Sequence, residues 1–570
     1  MRLLGCWAVV LLPVAGLFGA AASDVADAAM KGNKEAVRSL LEHKADVNAR
    51  QMDGTTALHW AVRADDRETA ELLIRSGANV SVANRDGATP LLLAAVNGNA
   101  AMIETLIRAG ADPNAPLTKY GDTALMMAAR TGNTDAIKML LGPIDGKQGA
   151  QVNTKETWGD TTALMWAVSE RHPAAAKVLL EHGADVNARS KFVPSTTGRG
   201  FEGTTPVAPQ PGQAAEEHAS GLLTPLMFAA REGDLESARL FVAAGADVNA
   251  IGGDGKDVLG LAIFNGNYEL ASFLIDNHAK VNQADAQGFT PLFWAVDRRN
   301  METPPNFPWM VTTDPLPLIR KLLDAGANPN AVVNNTPRAR MRDGSPRIVF
   351  GTALMRAAFS GDLELVKLLL SHGADPHIVS KDNETTLMAA CGTGFINGYS
   401  KGRSAAERLE VVKLLVQLGE DVNAADNYGI TPLMVAANLG EMPVILYLMD
   451  QSADLGAHDL GKKNDGAFGS SIEPLMPVDY AIGVGTFVPN NAVIYHEEAV
   501  KVMMQRMQEK GIKHTTSECT LRGFTCSVAN VDPKTATPAE IVKIRKIQTG
   551  FQVDGITGGL AVKDPDKSQK

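Results

Sequence analysis

The chain has 570 residues, 45% hydrophobic and 21% charged, with a formal net charge of -10 and only 5% aromatic residues. That composition fits a globular protein and excludes collagen-like, wholly disordered and multispan membrane chains. One hydrophobic core stops growing at roughly 250–300 residues, so a chain of this length is either several domains or a repeat array with no central core. The shortage of aromatics favours the array, because stacked small helices rely on Ala and Leu. Acidic charge spread along the whole chain argues against nucleic acid as the main partner.

The chain opens with a targeting pattern. Met1-Arg2 is a short positive start, Leu3 to Gly19 is apolar, and Ala20-Ala21-Ala22 precedes Ser23 as small residues precede a signal-peptidase cut. Residues 1–22 are therefore expected to be a signal peptide and the protein to be exported, periplasmic or secreted, with a bacterial periplasm favoured. A retained anchor is the competing reading, although the run is short for a span. No later apolar run is long enough to cross a bilayer.

From Ser23 onward the sequence repeats with a period of 33 residues. Each unit reads Thr-Pro/Ala-Leu-x-x-Ala-Ala, then Gly-Asn/Asp, then a Val/Leu-rich helix, then Gly-Ala-Asp-x-Asn-Ala. Copies start at Ser23, Thr56, Thr89, Thr123, Thr162, Thr224, Asp257, Thr290, Thr352, Thr385 and Thr431, with a weaker one at Met476. The pattern resembles the ankyrin repeat, whose Thr-Pro-Leu-His-x-Ala signature stands here as Thr56-Ala57-Leu58-His59-Trp60-Ala61. The resemblance implies an all-α solenoid of about twelve helix-turn-helix repeats with hairpin fingers over residues 23–515. The residues support it independently: the Thr slot caps the first helix, and Pro fits its first position. Leu365, Leu368 and Leu369 keep helical spacing in a second helix, and the Gly of Gly-Ala-Asp suits a left-handed stop.

Departures from the period place insertions near 191–220, 300–315, 332–350, 394–406, 455–475 and 483–496. Those between helices and those in fingers are expected to project from different rims. Aromatics in the first group, Phe307, Trp309, Phe395, Tyr399, Phe487 and Tyr495, are candidates for an accessory lobe, with neutral surface loops as the alternative. Arg338, Arg340, Arg342 and Arg347 form a local basic stretch, read mainly as a solvated loop.

The second x of Thr-Pro-Leu-x-x-Ala holds Trp60, Leu93, Met127, Trp166, Phe228, Leu261, Trp294, Arg356, Ala389, Val435 and Tyr480. In ankyrin repeats this slot faces the concave groove. The fingertips add Tyr120 and Trp158. Scarce aromatics concentrated on one strip suit a protein-binding hot spot, so Trp60, Tyr120, Met127, Trp158, Trp166, Phe228, Trp294 and Arg356 are the candidate partner-binding residues. The competing reading has these side chains packing against the next repeat. In the preceding slot only His59 keeps the family's His, and Met126, Met165, Met227, Met355, Met388 and Met434 replace it. They are read as apolar filler between helices, and an adaptable ligand surface is the alternative. Repeats stand roughly 10 Å apart, too far for these sulfurs to share an ion.

The chain has no His-Glu-x-x-His, paired Cys-x-x-Cys, phosphate-cradling glycine loop or Gly-x-Ser-x-Gly elbow. No catalytic residue, metal site or cofactor is assigned. His43, His182 and His372 recur at the ends of second helices, His496 reads as a cap, and Cys391 as a buried thiol. Cys519 and Cys526 flank a turn and are expected to pair as a disulfide in a C-terminal cap over 516–550, with a flexible tail over 551–570. The combined expectation is a non-enzymatic, monomeric exported scaffold that binds a partner protein in its groove and on its fingers, without nucleic acid. The alternative is an extracytoplasmic small-ligand or cell-wall-binding module formed by the inserted loops.

Overall fold

A computed structural model describes residues 23–515 apart from 117–119, 147, 193–219, 287, 302–312, 334–350, 393–402, 461–473 and 484–495. The expected signal peptide, most of each expected insertion, the aromatics proposed for an accessory lobe, the 338–347 arginines, Cys519, Cys526 and the expected C-terminal cap and tail lie outside the described residues. The chain divides into two units, unit 1 with residues up to 247 except 197–220, and unit 2 with the remainder.

Unit 1 contains the helix pairs α1 (Asp24–Met30) and α2 (Lys34–Glu42), α3 (Ala57–Arg63) and α4 (Arg67–Arg75), α5 (Pro90–Asn97) and α6 (Ala100–Arg108), α7 (Ala124–Arg130) and α8 (Thr134–Leu141), α9 (Ala163–Ser169) and α10 (Pro173–Glu181), and α11 (Pro225–Glu232) and α12 (Leu235–Ala243). Unit 2 contains α13 (Val258–Phe264) and α14 (Tyr268–Asp276), α15 (Pro291–Arg299) and α16 (Leu316–Asp324), α17 (Ala353–Phe359) and α18 (Leu363–Ser371), α19 (Thr386–Cys391) and α20 (Ala405–Gln417), α21 (Pro432–Leu439) and α22 (Met442–Asp450), and α23 (Pro477–Ile482) and α24 (Glu497–Glu509). No strand occurs among the described residues; Ile251 and Asp257 form an isolated bridge. Within each unit every first helix packs on the next first helix, and most second helices on the next second helix.

The Thr slot works as its chemistry predicts. Thr89, Thr123 and Thr224 have extended backbones, and their hydroxyls accept from the amides of Leu92, Met126 and Met227 at 3.2–3.3 Å. The Gly-Asn/Asp turn then caps the second helix: Asn99 accepts from Met102 N at 2.9 Å and Asp234 from Ser237 N at 3.0 Å. Gly98 needs its glycine, since its φ is +72° and a Cβ would collide with the Asn133 side chain. The Ala pairs Ala94-Ala95, Ala128-Ala129 and Ala229-Ala230 are fully buried, which lets first helices approach closely. Each buried leucine of a second helix, such as Leu365 and Leu369 in α18, contributes about 1.5–3 kcal/mol of burial.

The Asn of Gly-Ala-Asp-x-Asn joins neighbouring repeats. Asn153 donates to Gly183 O at 3.1 Å and accepts from Asp185 N at 2.7 Å, and Asn330 does the same with Gly373 O and Asp375 N at 2.9 and 2.8 Å. His43, His182 and His372 direct Nδ1 at the carbonyls of Ser39, Val178 and Leu368, four residues back at the helix end, at 2.7–2.9 Å. Sequence reading missed one irregularity. Residues 143–146 form an extra turn after α8, with Ile144 buried, against a hollow of about 400 Å³ lined by Ala100, Asp135, Lys138 and Pro143.

Candidate functional site

In unit 1 the candidate strip is half open from Trp60 to Trp166 and closed at Phe228. Trp60 and Trp166 project from the exposed sides of α3 and α9, with rings partly covered, and Met127 lies between them on α7. The Arg63 guanidinium sits 5.4 Å from the Trp60 ring, and Arg130 sits 5.6 Å from the Trp166 ring. The finger closes on the same face: Trp60 Nε1 donates to Gln51 Oε1 at 2.7 Å, and Gln51 Nε2 donates to Asp27 on α1 at 2.6 Å.

Trp166 breaks this pattern. Glu156 occupies the finger position of Gln51, its amide donating to Thr161 O as Gln51's does to Thr55 O. Its carboxylate is turned back on its own finger and accepts from Trp158 N at 2.5 Å, Gly159 N at 2.9 Å, Thr161 N at 2.8 Å and Thr161 Oγ1 at 2.7 Å. Burial pushes this carboxyl up, but the amides and hydroxyl outweigh burial and hold it below the usual range. Trp166 Nε1 is buried and has no acceptor among the described residues.

At the fingertips Tyr120 is 45% exposed and Trp158 77%. Thr157 fastens the two fingers together, its amide and hydroxyl donating to Tyr120 O at 2.6 and 2.8 Å. The large exposed hydrophobics among unit 1's described residues are Met30, Met52, Val96, Tyr120, Trp158 and Phe192. Each lies on a first helix or a finger, and none on a second helix.

Three of the eight candidates are corrected by burial. Phe228 is 7% exposed, Trp294 3% and Arg356 0%. Trp294 is held by Asp285 Oδ2, which accepts from its Nε1 at 3.2 Å, and by the rings of Phe264 and Phe289 at 5.0 and 4.8 Å. Arg356 donates to Asp297 Oδ1 at 2.8 Å, Ser360 Oγ at 2.7 Å and Asn300 O at 2.9 Å, an internal bracket between α15 and α17. Beside it Arg299 donates to Asp362 at 2.7 Å and Glu364 at 2.9 Å and pairs with Asp314. Burial opposes the Arg299 charge, but Asp314 and Asp362 outweigh it and raise its pKa. Sequence reading missed this network, whose only signal was Arg in an apolar slot.

The slot before the strip is interior. Met126, Met165, Met227, Met355, Met388 and Met434 are at most 2% exposed, which removes the ligand-surface reading. His59 accepts from Thr56 N at 3.2 Å, and its Nε2 lies 2.9 Å from Ala88 O of the next repeat. Cys391 is buried, and burial pushes its thiol up to about 12. No group of three metal-ligating side chains occurs among the described residues, and no described helix is long and apolar enough to cross a membrane.

A family model described as ankyrin repeats, in three copies, matches residues 25–116, 110–190, 226–303, 312–399 and 354–459, more than half of the chain. The chain is 25% identical over 214 residues to the ankyrin repeat protein YahD of Escherichia coli strain K12, covering 38% of this chain and 89% of that one. It is 26% identical over 210 residues to the ankyrin repeat and SOCS box protein 3 of Homo sapiens, covering 33% of this chain and 36% of that protein. It is 29% identical over 356 residues to the E3 ubiquitin-protein ligase KEG of Arabidopsis thaliana, covering 61% of this chain and 18% of that protein. The chain thus spans about a third of the human relative and under a fifth of the plant one. Among solved structures, the human ASB11 ankyrin repeat domain matches with a TM-score of 0.35 and 22% identity, over 45% of this chain and 98% of that one.

Proposed function

The chain belongs to the ankyrin-repeat family, and from that premise we propose that it is a non-catalytic scaffold holding a partner protein against the first-helix and finger face of unit 1. One observation carries the reading: every large exposed hydrophobic among unit 1's described residues lies on that face. An exposed apolar patch of this kind costs a soluble protein unless something covers it. Trp158 and Tyr120 supply rigid aromatic contact area at low entropic cost, and Trp60, Met127 and Trp166 form the half-covered floor.

The same proposal places the protein outside the cytoplasm as a monomer, with residues 1–22 removed as a signal peptide and Cys519 bridged to Cys526. Cell fractionation, N-terminal sequencing and a thiol count of the mature chain check those parts. The binding reading is tested by affinity capture from the native extracytoplasmic fraction, comparing wild type with Trp158→Ala/Tyr120→Ala. Loss of the captured protein from a variant that melts like wild type supports it. Unchanged capture would refute it.

A further inference from the structure

Arg63, Arg130 and Trp166 make the floor of unit 1 more than an apolar strip. Arg63 is exposed at the end of α3, lies over Trp60, and makes no ion pair among the described residues. Arg130 is 53% exposed at the end of α7, and among the described residues it pairs with Glu170, which stands 3.7 Å away and is itself 46% exposed. Such a contact is weak and displaceable. Arg231, which also lies over an aromatic ring on this face, is held by Glu232 at 2.7 Å. Two available guanidiniums therefore stand on an aromatic floor in a chain whose net charge is -10.

The spacing gives the occupant a shape. The helices α3 and α7 are two steps apart in the stack, roughly 20 Å at about 10 Å per packed pair, which an extended chain covers in about six residues. Between them α5 presents Val96, 46% exposed, beside the half-exposed Leu93. At the far end Trp166 Nε1 has, among the described residues, no acceptor like the one Gln51 gives Trp60 and Asp285 gives Trp294. An acceptor from outside the chain would remove that deficit.

We propose that unit 1 binds an extended acidic segment of its protein partner, with two carboxylates about six residues apart on Arg63 and Arg130 and apolar side chains between them over Leu93 and Val96. This rests on the protein-binding reading above and names the chemistry of the partner. Carboxylate groups on a guanidinium already stacked on an aromatic ring combine charge with planar recognition.

The test uses the full mature chain and a fluorescent extended peptide carrying two glutamates about six residues apart with Leu and Val between them, beside a twin in which glutamine replaces both. Anisotropy is expected to show the glutamate peptide binding about tenfold or more tightly than its twin, with a shift in tryptophan emission. Arg63→Gln/Arg130→Gln should erase the difference, while Arg67→Gln/Arg75→Gln on the second helix α4 should leave it intact. Equal binding of the twins, or no binding of either, overturns the proposal. Native capture that is lost in Trp158→Ala/Tyr120→Ala but unchanged in Arg63→Gln/Arg130→Gln also overturns it, while leaving the scaffold reading standing.

Discussion

Replacing Arg356 by leucine tests whether the interior of unit 2 depends on its buried charges. Arg356 is 0% exposed and Asp297, which accepts from its Nε at 2.8 Å, is 1% exposed. The variant leaves that carboxylate without its cation and also strands Ser360 Oγ and Asn300 O, which the guanidinium bonds at 2.7 and 2.9 Å. Breaking a buried pair on one side costs about 3–5 kcal/mol, because the remaining charge keeps its desolvation penalty and loses its compensation. Replacing both partners is a different perturbation. Arg356→Leu/Asp297→Leu removes the desolvation along with the attraction and should return to within about 1 kcal/mol of wild type. Urea denaturation followed by helical circular dichroism measures both, the midpoint shift being read at constant slope. A loss below about 1 kcal/mol in the single variant, or a double variant no more stable than the single, would refute the reasoning.

Three further outcomes follow from the same structure. Trp294→Ala should cost about 3–5 kcal/mol through the cavity it leaves, whereas Trp158→Ala at the fingertip should change stability by less than about 0.5 kcal/mol, and equal melting of the two variants would contradict their assigned places. Burial pushes the Asp257 carboxyl from 3.8 to about 6, so the folded state binds its proton more tightly than the unfolded state, and stability falls as pH rises between those values. Asp257→Thr, which restores the cap used at Thr224 and Thr290, should remove that loss of about 3 kcal/mol, visible as denaturation midpoints converging at pH 4 and diverging at pH 7. The Cys391 thiol, buried and pushed up to about 12, should resist iodoacetamide in the native chain and react only in urea, as mass spectrometry of the Cys391 peptide will show; native labelling would mean that α19 opens.

Most of the array was legible because its determinants are local. A Thr hydroxyl reaches an amide three residues on, as at Thr89, and Gly98 adopts its left-handed turn within its own repeat. Periodicity then multiplies each signal. The candidate surface was legible only in part. Position in the repeat gives Trp60, Met127 and Trp166 equivalent places on their first helices, yet the same position is half open at those three residues and closed at Phe228, Trp294 and Arg356. What closes it comes from elsewhere in the chain: Phe264, Asp285 and Phe289 around Trp294, and Asp297 and Asn300 around Arg356.

The sequence by itself determined the helix pairs, their caps and the face on which large side chains gather, because hydrogen-bonding reach and helical period are properties of a few consecutive residues. Only the tertiary structure decided which of those side chains meet water, which arginines are already paired, and that Glu156 bonds its own finger while Trp166 has, among the described residues, no acceptor like those of its counterparts. Those outcomes depend on neighbours one or two repeats away, and burial and electrostatic pairing are sums over such neighbours that no single repeat contains.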